Sequence, residues 1–251
     1  MEITQGQYER IEKHLPRQRG NVSMSNLQLI NAILYVTENG CKWRALPKSY
    51  GNWHTIYVRM NRWSKNDVLQ RLFEALQMEN IIRIRVESVC LDSTSAKVHP
   101  NGTGALKKGG KQTIGRSRGG LATKIHMVTA TDRSAVSFAL SGGEAHDSPE
   151  GLALLDKLIR VPEQKYIPMD RAYEGESMRK KAMEKGYSPV VPPKSNRRDP
   201  WEYDKERYKQ RNEIERYFLR LKRFRRIFTR YDKLDVLFCG FIYFAMIVDA
   251  F

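Results

Sequence analysis

The chain has 251 residues, room for one large domain or two modest ones. Apolar residues make up 41%, which supports a sizeable core and excludes bulk disorder. Lys and Arg number 44 against 28 Asp and Glu, a formal charge of +16; a self-repelling surplus of that size points to a polyanionic partner, the alternative being a merely basic soluble protein.

The N-terminal MEITQGQYERIEKHL is polar and charged and lacks the apolar core of a signal peptide. Residues 4–15 form a first amphipathic segment, broken by the basic run PRQRGN. Ser25 can cap a second helix, SNLQLINAILYVTENG, with Leu27, Ile30 and Leu34 on one side and Gly40 as its stop. A turn-rich CKWRALPKSYG follows. NWHTIYVRMNRW then sets Ile56, Met60 and Trp63 at helical spacing with Arg59 and Arg62 beside them, and Asn66 or Asp67 can cap a last helix through Met78. Trp43, Trp53 and Trp63 are expected to pack this small all-α domain, residues 1–80. Short helices with a tight turn before a basic, aromatic helix fit a helix-turn-helix DNA reader, and an ordinary helical subdomain has the same periodicity.

From Val86 onward the texture becomes β-rich. VESVCLDSTSAKVH reads as a strand, followed by a Gly/Lys/Arg-rich stretch, GTGALKKGGKQTIGRSRGG. In that stretch Lys111 precedes Gln112 rather than Ser or Thr, so it is no phosphate-binding P-loop; a flexible basic loop near DNA fits better, with Lys107, Lys108, Arg116 and Arg118 as contacts. LATKIHMVTATD and SAVSFALSGG are two apolar runs joined by a turn at residues 131–133. DSPEGLALLDKLI is a helix with Asp147 or Ser148 as cap and Pro149 near its start. KYIPMDRAY is a short strand, EGESMRKKAMEKG a helix, YSPVVPP a strand, and RYKQRNEIERYFLRLKRFRRIF a long basic helix. Three antiparallel strands followed by alternating helices and strands predict an α/β (α+β) fold, with a ribonuclease-H-like mixed sheet over residues 85–251. The apolar stretch over residues 237–251 is shorter than the roughly 20 residues a membrane span needs and contains Asp249, so a buried helix is expected. Cys41, Cys90 and Cys239 show neither zinc spacing nor a disulfide framework. A soluble, intracellular protein, cytoplasmic and with no membrane partner, is expected.

Phosphodiester cleavage and strand transfer can be run by two divalent ions about 4 Å apart, and Mg²⁺ asks only for a few convergent hard oxygen ligands. Asp92 lies in the first strand after Val89-Cys90-Leu91, where an unpaired acid is costly. Asp170 ends KYIPMD, the fourth strand, which neighbours the first in this topology. On the last helix, at about 100° per residue, Tyr208, Arg211, Glu215 and Lys222 fall within an arc of about 60°. Ile214, Tyr217, Phe218 and Leu221 form the adjoining apolar face, and Glu213 points away. Arg211 and Glu215 are also spaced for an ordinary surface ion pair, which does not explain why the row borders the buried face. His126 reads as a satisfied core residue, His99 as a possible phosphate contact, and His146 with Asp147 as cap and turn. Arg220, Arg223, Arg225, Arg226 and Arg230 run beside the row and favour phosphate contact.

The spacing Tyr208-x2-Arg211-x3-Glu215-x6-Lys222 resembles the Tyr-Arg-Glu-Lys signature of bacterial insertion-sequence transposases of the Asp-Asp-Glu class. RNEIERYFLRLKRFRRIFTRYDKL resembles the insertion-sequence-5 family, as do LDSTSAKVHP, IGRSRGGLATKIH, AHDSP, MDRAYEG and, before them, ILYVTENGCKWRALP. The resemblance implies a transposase that binds terminal inverted repeats through the N-terminal domain and cuts and joins DNA through the catalytic one. It makes Asp92, Asp170 and Glu215 ligands of two Mg²⁺ ions, with Mn²⁺ able to substitute, and sets Tyr208, Arg211 and Lys222 near the scissile end. Arg59, Arg62, Arg223 and Arg226 join the basic loop as DNA contacts. The partners are double-stranded repeat and target DNA, held by a homodimer or larger assembly on the nucleoid. A non-catalytic regulator and a ribonuclease-H-like nuclease without strand transfer are the rival readings.

Overall fold

The computed structural model describes residues 2–20, 22–79, 88–104 and 110–251. The chain forms two compact units, one of Met1–Arg83, Lys97–Gln112 and Arg220–Phe251, the other of Ile84–Ala96 and Thr113–Leu219.

The first unit is helical. Helix α1 (Gln5–Glu12) begins with a capping box between Thr4 and Gln7. Ser25 accepts from Gln28 N to start α2 (Asn26–Asn39), which ends at Gly40 with φ of 62°. That left-handed cap favours glycine, and a Cβ there would also lie 3.0 Å from the Cβ of Arg225. Asn52 accepts from His54 N and Thr55 N and starts α3 (Trp53–Lys65). At α4 (Val68–Met78) Asp67 occupies the cap position but makes no side-chain cap bond; its own backbone is left-handed, with φ of 52°. The last helix of the chain, α10 (Asp235–Asp249), packs on α2, α3 and α4. Leu237, Phe238, Phe241, Ile242, Ala245 and Met246 are buried there. This differs from the expected division at residues 80–85, which leaves the C-terminal stretch with the sheet. The apolar faces of α10 are satisfied by helices, so residues 220–251 belong with the N-terminal ones. Among the described residues no helix is long and apolar enough to cross a membrane.

The second unit is built on a mixed sheet. Strand β1 (Cys90–Val98) neighbours β3 (Gly120–Thr131), and β3 pairs antiparallel with β4 (Ser134–Gly142). On its other side β1 meets the segment of β5 (Lys165–Pro168) through parallel bridges Ser88–Tyr166 and Leu91–Met169. Strand β5 in turn pairs parallel with β6 (Tyr187–Val190). The order β4-β3-β1-β5-β6 is the mixed, ribonuclease-H-like sheet that the element order predicts. Helices α5 (Asp147–Lys157) and α6 (Glu176–Glu184) close the core over Val89, Leu91, Val128, Leu154, Ile167, Met169 and Tyr173. Part of the basic stretch expected as a loop is a strand, β2 (Gly115–Ser117), antiparallel to the start of β3.

The basic helix is not continuous. Helix α7 (Lys205–Tyr208) passes through a 3-10 turn, Lys209–Arg211, into α8 (Asn212–Leu221). A turn then precedes a short α9 (Arg225–Phe228) and strand β7 (Thr229–Arg230), which runs parallel to Lys97 and Val98 at the end of β1. Beyond the break after Leu221, Phe224 and Ile227 are buried.

Candidate active site

The strand register brings the first two acids together. Leu91 bridges Met169, so the next residue on each segment, Asp92 and Asp170, stand side by side. The Ser93 amide donates to Asp92 Oδ1 at 2.8 Å. Asp170 lies beyond the end of β5, at the start of the 3-10 turn Arg171–Tyr173, where its carboxylate is more exposed.

The helical acid arrives from the other side. Two tethers place it. Gln210 accepts from the Ser88 hydroxyl at 2.9 Å and, at its backbone carbonyl, from Cys90 Sγ at 3.2 Å. Glu213, read from sequence as facing away, accepts from the Asp132 amide at 3.1 Å and so pins α8 to the β3–β4 turn. Ile214, Tyr217, Phe218 and Leu221 are buried, as their spacing predicts. Glu215 is then half exposed at the edge of that face.

Arg211 ties the three acids together. Its Nη1 donates to Asp92 Oδ2 at 2.7 Å and stands 3.9 Å from Asp170 Oδ1, while Nη2 donates to Glu215 Oε1. The Asp92 side chain is 14% exposed, against 42% for Asp170 and 49% for Glu215. Burial pushes the Asp92 carboxyl up to about 6; the Ser93 amide and Arg211 pull it down, while Asp170 and Glu215 push it further up. Burial works against the Arg211 charge, yet Asp92 and the neighbouring groups outweigh it and raise its pKa. The Tyr208 ring lies 5.8 Å from the Arg211 guanidinium and 5.5 Å, edge-on, from Tyr203. Burial raises the Tyr208 phenol.

Among the described residues, no three His, Cys, Asp or Glu side chains stand at metal-holding spacing, because these carboxylates close on a guanidinium. The donor set still suits a hard cation: three carboxylates, one of them buried, already gather around positive charge. Lys222 follows the last residue of α8, half-buried with its pKa lowered by burial, and belongs to the helical unit's part of the chain.

The expected DNA contacts divide by burial. Arg59 is buried and donates to Met24 O at 3.0 Å and to Asn26 Oδ1 at 2.6 Å. Arg226 is buried, paired with Asp232 at 2.8 Å and bonded to Cys41 O at 2.9 Å. Both guanidiniums are spent inside the helical unit, which corrects their reading as DNA contacts. Arg230 is likewise buried, on Asp235 and Asp232 O. Arg62, Arg116, Arg118 and Arg223 are exposed. Lys107 and Lys108 lie outside the described residues.

His126, expected as a satisfied core residue, is fully buried and partnered. His126 Nε2 is 2.7 Å from Ser141 Oγ and Nδ1 is 3.5 Å from the Tyr173 hydroxyl. Asp147, expected as a helix cap, instead pairs with Lys124 at 2.9 Å, and His146 takes the cap position without a side-chain bond. Burial holds His126 neutral, lowering its pKa to about 4; Asp147 opposes the shift and Lys124 adds to it. Only the run KIHMV, with a histidine among apolar strand residues, hinted at this group.

Residues 3–73 match the family described as a putative transposase of the IS4/5 family. The uncharacterized protein y4sN of Sinorhizobium fredii (strain NBRC 101917 / NGR234) is 28% identical over 109 residues, 42% of this chain and 84% of that protein. Among solved structures, the piggyBac transposase synaptic complex with hairpin DNA aligns with a TM-score of 0.43 and 12% identity. That alignment covers 76% of this chain and 47% of the other, so the chain spans about half that transposase's length. The Mos1 transposase paired-end complex with left transposon end aligns with a TM-score of 0.27 and 9% identity over 88% of this chain and 82% of that one. Residues 87–248, well over half of the chain, match the transposase DDE domain, and the chain belongs to that family.

Proposed function

We propose that this chain cuts the ends of a mobile element at its terminal inverted repeats and joins them to target DNA, with Asp92, Asp170 and Glu215 holding divalent cations. The observation that carries the reading is the convergence of these three carboxylates on one positive group within the stretch that matches the DDE domain. Bound there, Mg²⁺ ions, with Mn²⁺ as substitute, would supply Lewis acidity to the scissile phosphate and acidify the attacking water. Asp92, buried and fixed by the Ser93 amide, is the rigid ligand, and the more exposed Asp170 and Glu215 are free to adjust. Arg211 offers a planar fork that matches a phosphate's oxygens as well as a carboxylate's. Tyr208 presents a phenol beside it. Arg62, on the exposed face of α3, and Arg116, Arg118 and Arg223 supply the sequence-independent hold on the DNA backbone. Two ends must be held at once, so the working species on nucleoid DNA is at least a homodimer.

Cleavage of repeat-bearing DNA by Asp170→Asn tests the assignment. Loss of divalent-dependent nicking in a folded variant is the expected result. Undiminished nicking would remove Asp170 from the site. Joined products in the same wild-type reaction distinguish strand transfer from hydrolysis alone.

A further inference from the structure

Helix α3 has two unlike faces. Ile56, Arg59, Met60, Trp63 and Ser64 are buried, and the helix packs on α10. At about 100° per residue, His54, Thr55, Val58, Asn61, Arg62 and Lys65 fall within an arc of about 120° on the other side. None of the six is buried, Val58 is 43% exposed, and the helix holds no acid. A merely solvated helix face mixes charges of both signs. This one offers cations, small polar groups and one apolar side chain. A second basic segment is tied to its flank. The Met24 carbonyl accepts from Arg59 Nη1 at 3.0 Å and from Gln18 Nε2 at 2.7 Å. That shared acceptor holds the basic run at residues 16–20 beside α3, with Arg17 and Arg19 exposed. At the start of the helix the exposed Arg44 guanidinium lies 5.4 Å from the Trp53 ring. Arg59 is spent inside the unit, and what it builds is a cationic flank to this face.

We propose that α3 enters the major groove of the element's terminal repeats and that Val58 and Asn61 read base edges there, while Arg62, Lys65, Arg17 and Arg19 hold the neighbouring phosphates. The proposal rests on the reading that this chain acts on the ends of a mobile element. The chemistry of the face names the bases. The major groove admits an α-helix, and the carboxamide of Asn61 can donate to adenine N7 while accepting from its N6–H. Val58 gives a thymine methyl an apolar contact. A·T pairs are therefore the expected targets. Contacts to phosphate fix the register of the protein on the duplex and carry no sequence information, so the two roles separate by residue type.

The test is selection by the full chain from a pool of randomised DNA duplexes at fixed salt. Fluorescence anisotropy then measures affinity for a selected and an unselected duplex, and thermal melts check folding. Wild type should enrich one motif that contains A·T pairs. Asn61→Ala should lose the preference at one base pair of that motif and bind the selected duplex about 10-fold more weakly, with the unselected duplex bound as before. Val58→Ala should relax a neighbouring A·T pair. Arg62→Ala should weaken both duplexes alike and leave the motif unchanged. If Asn61→Ala fails to fold, Val58→Ala decides by itself, and an unchanged motif there overturns the proposal. Folded Asn61→Ala and Val58→Ala that both enrich the wild-type motif overturn it too, and repeat recognition then lies elsewhere in the chain. Wild type that binds duplexes but enriches no motif leaves α3 nothing to read, and the proposal falls alone. If wild type binds no duplex, the reading of a chain that acts on element ends falls and the proposal with it.

Discussion

His126 offers a measurable consequence of burying an imidazole beside the site. The ring is fully buried, and the folded chain keeps it neutral down to about 4, against 6.5 for the free side chain. The unfolded chain therefore binds more protons between those values. Stability is whole above about pH 6.5 and falls as pH drops through that window, the sign for a group whose folded pKa is depressed. The full linkage is about 3 kcal/mol, and at about pH 5 roughly 2 kcal/mol of it is lost. For a chain of this size that corresponds to a melting temperature lower by about 4–8 °C. Asp147, 3.9 Å from Nδ1, favours protonation, and Lys124, paired with the same Asp147, opposes it; Tyr173 and Ser141 are neutral partners. Denaturant unfolding of wild type and His126→Gln, each near pH 7.5 and about pH 5, isolates the effect. Glutamine keeps a hydrogen-bonding head without titrating. Wild type should lose roughly 2 kcal/mol more than the variant on acidification. Parallel losses in the two proteins would refute the reasoning, because the imidazole would then take its proton inside the fold at no cost.

Gly151→Ala adds helix propensity but drives a methyl into the Tyr173 ring, and overpacking of this kind costs about 1–3 kcal/mol. Its melting temperature should fall; a more stable variant would show that the ring yields easily. Arg226→Gln strands buried Asp232, with a loss of about 3–5 kcal/mol expected in denaturant unfolding. A stable variant with weakened DNA binding would return Arg226 to the DNA contacts. Arg118→Ala should leave stability within about 0.5 kcal/mol and lower the salt slope of DNA binding by about 1. An unchanged slope takes Arg118 off the DNA.

Local patterns in this chain carry far where period and pairing are strong. Alternating and helical runs set the element order, and the order made Asp92 and Asp170 neighbours; the Leu91–Met169 bridge places them so. Spacing likewise set Ile214, Tyr217 and Phe218 inward and Glu215 at their edge. Arginines resisted the same reading. Arg59 and Arg62 are three residues apart on one helix, one spent on Met24 and Asn26 and the other in solvent, and a periodic pattern sees only two cations beside an apolar stripe. Arg226 and Arg230 look like a DNA-facing run until Asp232 and Asp235 fold back on them.

The sequence by itself determined the elements, the three acids and the surplus of positive charge, because these depend on residue type and on spacing within one segment. The tertiary structure decided the rest. It broke the last helix after Leu221, drew α10 onto the N-terminal helices, closed Arg211 on the three carboxylates, and buried His126 against Ser141. Those outcomes turn on which groups lose water and which partners meet them there. Contacts between segments more than a hundred residues apart, such as Asp92 with Arg211, leave no periodic trace in either segment.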